Sequence, residues 1–235
     1  MIGWSRRKIL LFAAATLAFL FALFPLRLAA DWLSLGDRGL AAREASGSLW
    51  SGRLEDARFA GTALGDLRTR LSPLPLLALR ARIAFQRRGG DDGAVLTLTR
   101  NGFDLADANA RLAAGPLFAP LPVAAIDLVD VSARFNRGRC LFAEGRVSAR
   151  LGGGVAGVSL PGGLAGNARC DRGALLLPLV GQSGMERLDL RFFDGDRYRA
   201  DFTVRTTDPA TGKRLVDAGF ERGPRGYLLS MVGVL

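Results

Sequence analysis

Histidine is absent from this chain, cysteine occurs only as Cys140 and Cys170, and Lys8 and Lys213 are the only lysines among 32 basic residues. Without imidazole there is no Ser-His-Asp or Cys-His activation of a nucleophile, no HExxH motif and no histidine-based catalytic zinc site. Two cysteines cannot supply the four ligands of a structural zinc site either. An enzyme would have to work through carboxylates, and no convergent acid pair stands out. The sequence therefore assigns no catalytic, cofactor-binding or metal-binding residue, and reads as a non-enzyme with no small-molecule substrate. Also missing is a clustered basic stripe with interleaved aromatics, which argues against nucleic acid as a partner. The formal charge is +10. Residues 1–30 hold four basic and no acidic residues, leaving 28 basic against 22 acidic residues, or +6, for the rest. Scattered arginines at that surplus read as a solvated outer face, compatible with an anionic membrane surface or an acidic partner.

The acid-free start is the most distinctive stretch. Arg6, Arg7 and Lys8 precede Ile9 to Leu26, which carries no charge, and Arg27 follows. These uncharged residues span about 27 Å as a helix, close to the hydrocarbon thickness of a bilayer. A cleavable signal peptide has a shorter apolar core and a small-x-small site, whereas here a cut after Ala30 would put Leu28 at the minus-three position, where a small residue is wanted. The reading is a retained anchor over 9–28, a cytoplasmic tail over 1–8 and an exported domain over 31–235, oriented by the basic residues ahead of the span. Ala14, Ala18 and Ala22 recur every fourth residue, which composition explains as well as helix packing does. Trp32 is suited to the headgroup level.

Beyond Gly47-Ser48-Leu49-Trp50-Ser51-Gly52 the pattern has period two. The flanking glycines suggest a strand edge or bulge, with Trp50 as a core anchor. Leu67, Thr69 and Leu71 alternate with Arg68 and Arg70, and Ala81, Ile83 and Phe85 with Arg80 and Arg82. The prolines of Ser72-Pro73-Leu74-Pro75 interrupt the strands. Asp92-Gly93 predicts a tight turn, residues 111–124 with three prolines an apolar buried connection, and 152–166 a glycine-dense loop. Val129, Val131, Ala133 and Phe135 resume the alternation. Near the C-terminus Leu188, Leu190 and Phe192, the Asp194-Gly195 turn, then Tyr198, Ala200, Phe202 and Val204 predict a hairpin. A turn at 208–212, a strand through Val216, Ala218 and Phe220, and a last strand over 227–235 complete the series. The predicted class is mainly β: an N-terminal transmembrane helix and then a curved antiparallel β-meander, with half-sheets over 47–110 and 125–235.

In an oxidising compartment Cys140 and Cys170 would form a disulfide across 29 intervening residues, worth roughly 3–4 kcal/mol on the chain-entropy model; two buried thiols are the alternative. Gly152 to Gly157 matches G-x-G-x-x-G, but the Leu160-Pro161-Gly162-Gly163 that follows cannot open the helix a nucleotide site needs.

With these pieces in place the chain resembles the type II secretion system protein N family, also called general secretion pathway protein N. The likeness is carried by Gly47, Ser48, Leu49, Trp50, Ser51 and Gly52, by Leu71, Ser72 and Pro73 some twenty residues on, and by Cys140 with Glu144-Gly145 and then Cys170. A tryptophan often found before Leu71 is replaced here by Arg68 and Thr69. The resemblance implies a bacterial inner-membrane, single-pass protein with a periplasmic β-rich domain. It also implies a non-enzymatic role in exporting folded proteins, with the inner-membrane platform and the secretin as partners. A periplasmic carrier of lipid or another hydrophobic ligand is the rival reading. An open groove lined by Phe85, Phe135, Phe192 and Phe202 would favour the carrier, and a closed core the adaptor.

Overall fold

A computed structural model describes residues 6–23, 25–28, 40–59, 62–113, 118, 121, 123–152, 163–193 and 197–234. The chain starts with helix α1, Arg6–Ala22, of 17 residues. This is shorter than the expected span over 9–28, and among the described residues no helix is long and apolar enough to cross a membrane. Pro25, which has no N–H to give to a helix, instead forms an isolated antiparallel bridge with Ser48. On α1 Leu10, Leu11 and Phe12 are 69%, 71% and 62% exposed, so these side chains, which point in different directions around the helix, are not packed on the rest of the chain.

Everything after residue 40 is built on one 16-stranded antiparallel sheet. The strands of its N-terminal part are β1 (Leu40–Ala41), β2 (Glu44–Ser48), β3 (Ser51–Phe59), β4 (Thr62–Ser72), β5 (Ala81–Arg87), β6 (Gly93–Thr99) and β7 (Gly102–Ala113). Two long strands, β8 (Val123–Asn136) and β9 (Arg139–Leu151), form the middle. The C-terminal part holds β10 (Gly163–Asn167), β11 (Arg169–Asp171), β12 (Ala174–Gly181), β13 (Glu186–Phe192), β14 (Arg197–Val204), β15 (Glu221–Gly223) and β16 (Gly226–Val234). Successive strands are neighbours nearly throughout, as a meander requires. The exceptions are three: β1 and β2 both lie on β3, β10 and β11 both lie on β12, and the chain passes from β14 to the edge strand β15 before returning as β16 between them. Because β7 pairs with β8, the segments 47–110 and 125–235 are two halves of one continuous sheet. Among the described residues its two margins do not pair with each other, so the sheet is open.

The alternation read from the sequence sets the faces. Leu188 lies opposite Phe202 and Leu190 opposite Ala200, while Phe202 and Ala200 face Leu229 and Met231 on the next strand. One apolar row thus crosses the sheet from strand to strand. Curvature comes from bulges. The register shifts at Asp56 on β3, at Asp107 on β7 and at Asp130 on β8, and each of these aspartates has positive φ, a conformation that aspartate tolerates better than most residues. Their freed N–H groups find partners. Asp56 donates to the Asp66 carboxylate at 3.1 Å, Asp107 to Ser132 Oγ at 3.2 Å and Asp130 to Asn109 Oδ1 at 3.0 Å.

Over the C-terminal half the inner face is closed. Phe118 and Leu121, from the proline-rich connection, are 1% and 4% exposed, as a buried linker should be. Phe118 meets Tyr198 edge-on, with ring centroids 5.3 Å apart. Beside them lies the helix Pro209–Asp217, whose Leu215 is wholly buried, followed by Phe220 against Phe202 at 6.1 Å.

That helix corrects the turn and strand expected over 208–220. Asp208 caps it, accepting from the N–H groups of Ala210 and Thr211 at 3.1 and 3.0 Å, and Pro209 occupies the first turn, where its missing N–H has no consequence. The glycine-dense loop is also shorter than expected, because Gly163–Asn167 pairs with both β9 and β12. The Asp92-Gly93 turn shifts upstream: Gly93 already pairs with Gln86, and the Arg87 N–H donates to the Asp92 carbonyl at 2.8 Å, so residues 88–92 make the reversal. The Asp194-Gly195 turn lies outside the described residues.

Candidate functional site

Among the described residues no element covers the N-terminal half of the inner face as Phe118 and the helix Pro209–Asp217 cover the other half. The result is an open apolar trough of about 980 Å³ whose floor includes Leu54, Leu67, Leu71, Ile83, Phe85 and Leu96. Leu26, just after the Pro25 bridge, and Leu49 line one end of it. Thr69 sits in the floor between Leu67 and Leu71 and is 6% exposed; its Oγ1 is buried without a hydrogen-bond partner. An orphaned hydroxyl in an apolar surface is disfavoured by itself.

Charge is confined to the rim. Arg87 pairs with Asp92 at 3.0 Å and donates through Nε to the Leu64 carbonyl at 3.1 Å. Arg111 donates to Asp127 at 2.6 Å, and this hydrogen bond, together with the charge of Asp127, raises the guanidinium pKa further. Arg43 and Glu55 form a looser pair at 3.7 Å. The wall between these pairs is lined mainly by leucine and alanine side chains with Ile83 and Phe85. No cluster of three or more metal-ligating side chains exists among the described residues. The trough can hold an apolar surface or chain.

The residues singled out in the sequence fall into two places. Gly47 and Ser48 end β2, Leu49 and Trp50 form the turn, and Ser51 and Gly52 begin β3, with Ser48 opposite Ser51. The motif is therefore a tight hairpin whose first strand, β2, pairs with no strand but β3 among the described residues, so it lies at an edge as expected and not at a bulge. Gly47 has φ +87°, and a Cβ there would lie 2.7 Å from the Ser51 carbonyl oxygen. A Cβ on Gly52 would strike Leu26, so glycine lets the segment after α1 reach the trough. Ser72 ends the neighbouring strand β4 at the same end, three residues past the pair Gly52–Thr69, and Pro73 opens the short helix Pro73–Leu76. Trp50 is half-buried at the hairpin tip, outside the fully buried core where it was expected.

Cys140 and Cys170 stand apart, on β9 and β11, and are joined by a disulfide with Cα atoms 5.5 Å apart. The four phenylalanines proposed for one groove are dispersed. Phe85 lines the trough, Phe135 stacks on Phe103 at 4.7 Å, Phe192 tilts against Tyr198 at 6.3 Å, and Phe202 is 1% exposed in the closed core. The orphaned Thr69 was legible, since it shares the face of Leu67 and Leu71. Leu26 was not, because its place depends on the Pro25 bridge.

Comparison with known proteins adds one finding. The family model for Type II secretion system (T2SS), protein N matches residues 38–229, from the start of β1 into β16. No curated protein and no solved structure is significantly similar to the chain. With the match running over nearly the whole sheet, including the hairpin Gly47–Gly52 and the disulfide, the chain belongs to the type II secretion system protein N family.

Proposed function

We propose that this chain is a membrane-tethered adaptor of the type II secretion machinery, working between the inner-membrane platform and the secretin from the periplasmic side. The observation that carries the reading is the family match over residues 38–229. Two further features support it. The exposed apolar side chains of α1 suit a segment lodged in a bilayer, with 1–8 on the cytoplasmic side and 31–235 exported. An open antiparallel sheet offers its edges and its uncovered trough to partner proteins, and needs no reactive group to do so. The disulfide is the kind of bond an oxidising compartment sustains.

In-cell photo-crosslinking from probes at Arg111 on the trough rim, and at Arg191 and Arg225, tests this. Capture of platform or secretin subunits is the expected outcome. If the Arg111 probe captured phospholipid and no probe captured a secretion subunit, the adaptor would give way to the hydrophobic-ligand carrier, which the closed C-terminal core does not favour.

A further inference from the structure

The two ends of the sheet differ in chemistry. The meander places the reversals after β2, β4, β6, β8, β11 and β13 at one end, as the pairs Ser48–Ser51, Ser72–Arg82, Thr99–Gly102, Asn136–Arg139, Asp171–Ala174 and Phe192–Tyr198 require. The Pro25–Ser48 bridge brings the end of α1 to the same place. Three leucines project there from the connection between β4 and β5: Leu74, Leu77 and Leu79 are 77%, 86% and 79% exposed. The same end carries an exposed arginine in four successive turns, Arg80, Arg100, Arg137 and Arg172, and no acidic residue lies within any of those turns. The opposite end is mixed, with Asp91 and Asp92 beside Arg88.

Backbone conformation makes the arginines notable. Arg137-Gly138 and Arg172-Gly173 are two-residue hairpin turns in which both residues have positive φ, 47° and 73° in the first and 53° and 84° in the second. Asparagine or aspartate ordinarily fills the first of these positions, because a long side chain is disfavoured in the left-handed region. Folding alone would select the acid or the amide. The connection from β13 to β14 also reverses at this end and carries Asp194 and Asp196, so the row of acid-free arginine turns runs from β4 to β11 and stops short of the β13 margin, which is far from α1 in the order of strands.

We infer that this end of the sheet is a docking face for an anionic lipid bilayer, with Leu74, Leu77 and Leu79 entering the interface and Arg80, Arg100, Arg137 and Arg172 on the lipid phosphates. Exposed leucines at one end of a row of arginine turns match such a surface in both polarity and charge. The sheet then stands on the membrane by the end nearest α1, and the trough opens sideways just above the headgroups. The inference rests on α1 as the tether, and the test separates the two.

The full chain carrying Leu77→Cys is labelled with the fluorophore NBD; the native cysteines, tied to each other, do not react. The labelled chain is assembled with nanodiscs of phosphatidylcholine alone or with 30% phosphatidylglycerol, each with and without doxyl-labelled lipid. A Gln182→Cys variant labels the opposite end. The expected result is a blue-shifted Leu77 probe quenched by shallow doxyl lipid in the anionic discs, a weaker effect in neutral discs, and an unquenched Gln182 probe. Replacing Arg80, Arg100, Arg137 and Arg172 by Gln should lower the docked-to-undocked ratio about fivefold per arginine, with near-UV circular dichroism checking that the sheet is intact. A chain retained on the discs with its Leu77 probe in water overturns the docking face but leaves the tether. Equal quenching at both ends, or no response to the arginine replacements in a folded variant, also overturns it. A chain that leaves neutral discs yet docks on anionic ones through Leu77 overturns the tether and keeps the face. Loss from both kinds of disc overturns both.

Discussion

Truncating Phe202 and Phe85 to alanine separates the closed half of the sheet from the open half with the same chemical change. Phe202 is 1% exposed and lies under Phe220. Removing its ring forfeits the transfer energy of a buried aromatic and leaves a void that the surrounding leucines fill only in part. The expected loss is about 3–5 kcal/mol. Phe85 is half-buried and already borders the trough of about 980 Å³, so its removal widens an existing space and creates no sealed cavity. Only the buried part of its transfer energy is lost, about 1 kcal/mol. Urea unfolding of the full chain, followed by near-UV circular dichroism with a common m-value, measures both. The predicted gap of about 2–4 kcal/mol exceeds the extrapolation error of such curves. Equal losses at the two positions would refute the reasoning, because they would mean that the N-terminal trough is filled as tightly as the C-terminal core.

Other expectations are briefer. Replacing Cys140 and Cys170 together by alanine, or reducing the bond, should lower stability by roughly 3–4 kcal/mol, since the bridge spans 30 residues; an unchanged unfolding midpoint would show that the link constrains nothing. Hydrogen bonds from the Thr211 hydroxyl and from the N–H groups of Thr211 and Ala210 hold the Asp208 carboxyl below its ordinary value of 3.8. A lowered folded-state pKa stabilises the fold above the unfolded value and is lost as pH falls through the folded one, so the contribution fades below about pH 4. Asp208→Asn keeps a capping oxygen without that titration and should give a shallower acid limb in stability against pH; an identical limb would exclude Asp208 as its source. A Cβ on Gly102 would strike the Phe135 carbonyl oxygen, whereas one on Gly90 meets only the Asp92 nitrogen at 3.9 Å. Gly102→Ala should therefore part β7 from β8 and lower the thermal unfolding midpoint sharply, while Gly90→Ala stays close to wild type; matching melts would undo the assigned register.

What sequence alone determined was local in origin. Whether a strand residue faces in or out depends on its parity, so Leu188 to Val204 and Leu67 to Leu71 could be placed on faces before any pairing was known. The absence of histidine ruled out whole classes of chemistry, and the hairpin Gly47–Gly52 with Ser72-Pro73 carried the family. Only tertiary structure decided what covers each face. Val216, Ala218 and Phe220 alternate like a strand, yet the Asp208 cap and the slot for Leu215 above the sheet make 209–217 a helix. The same apolar pattern runs through both halves of the sheet. One half becomes a core because Phe118, Leu215 and Phe220 arrive from distant parts of the chain, and the other is left as a trough. Burial is a relation between residues far apart in sequence, so no local period can report it, and the gathering of Arg80, Arg100, Arg137 and Arg172 at one end appears only when the strands are laid side by side.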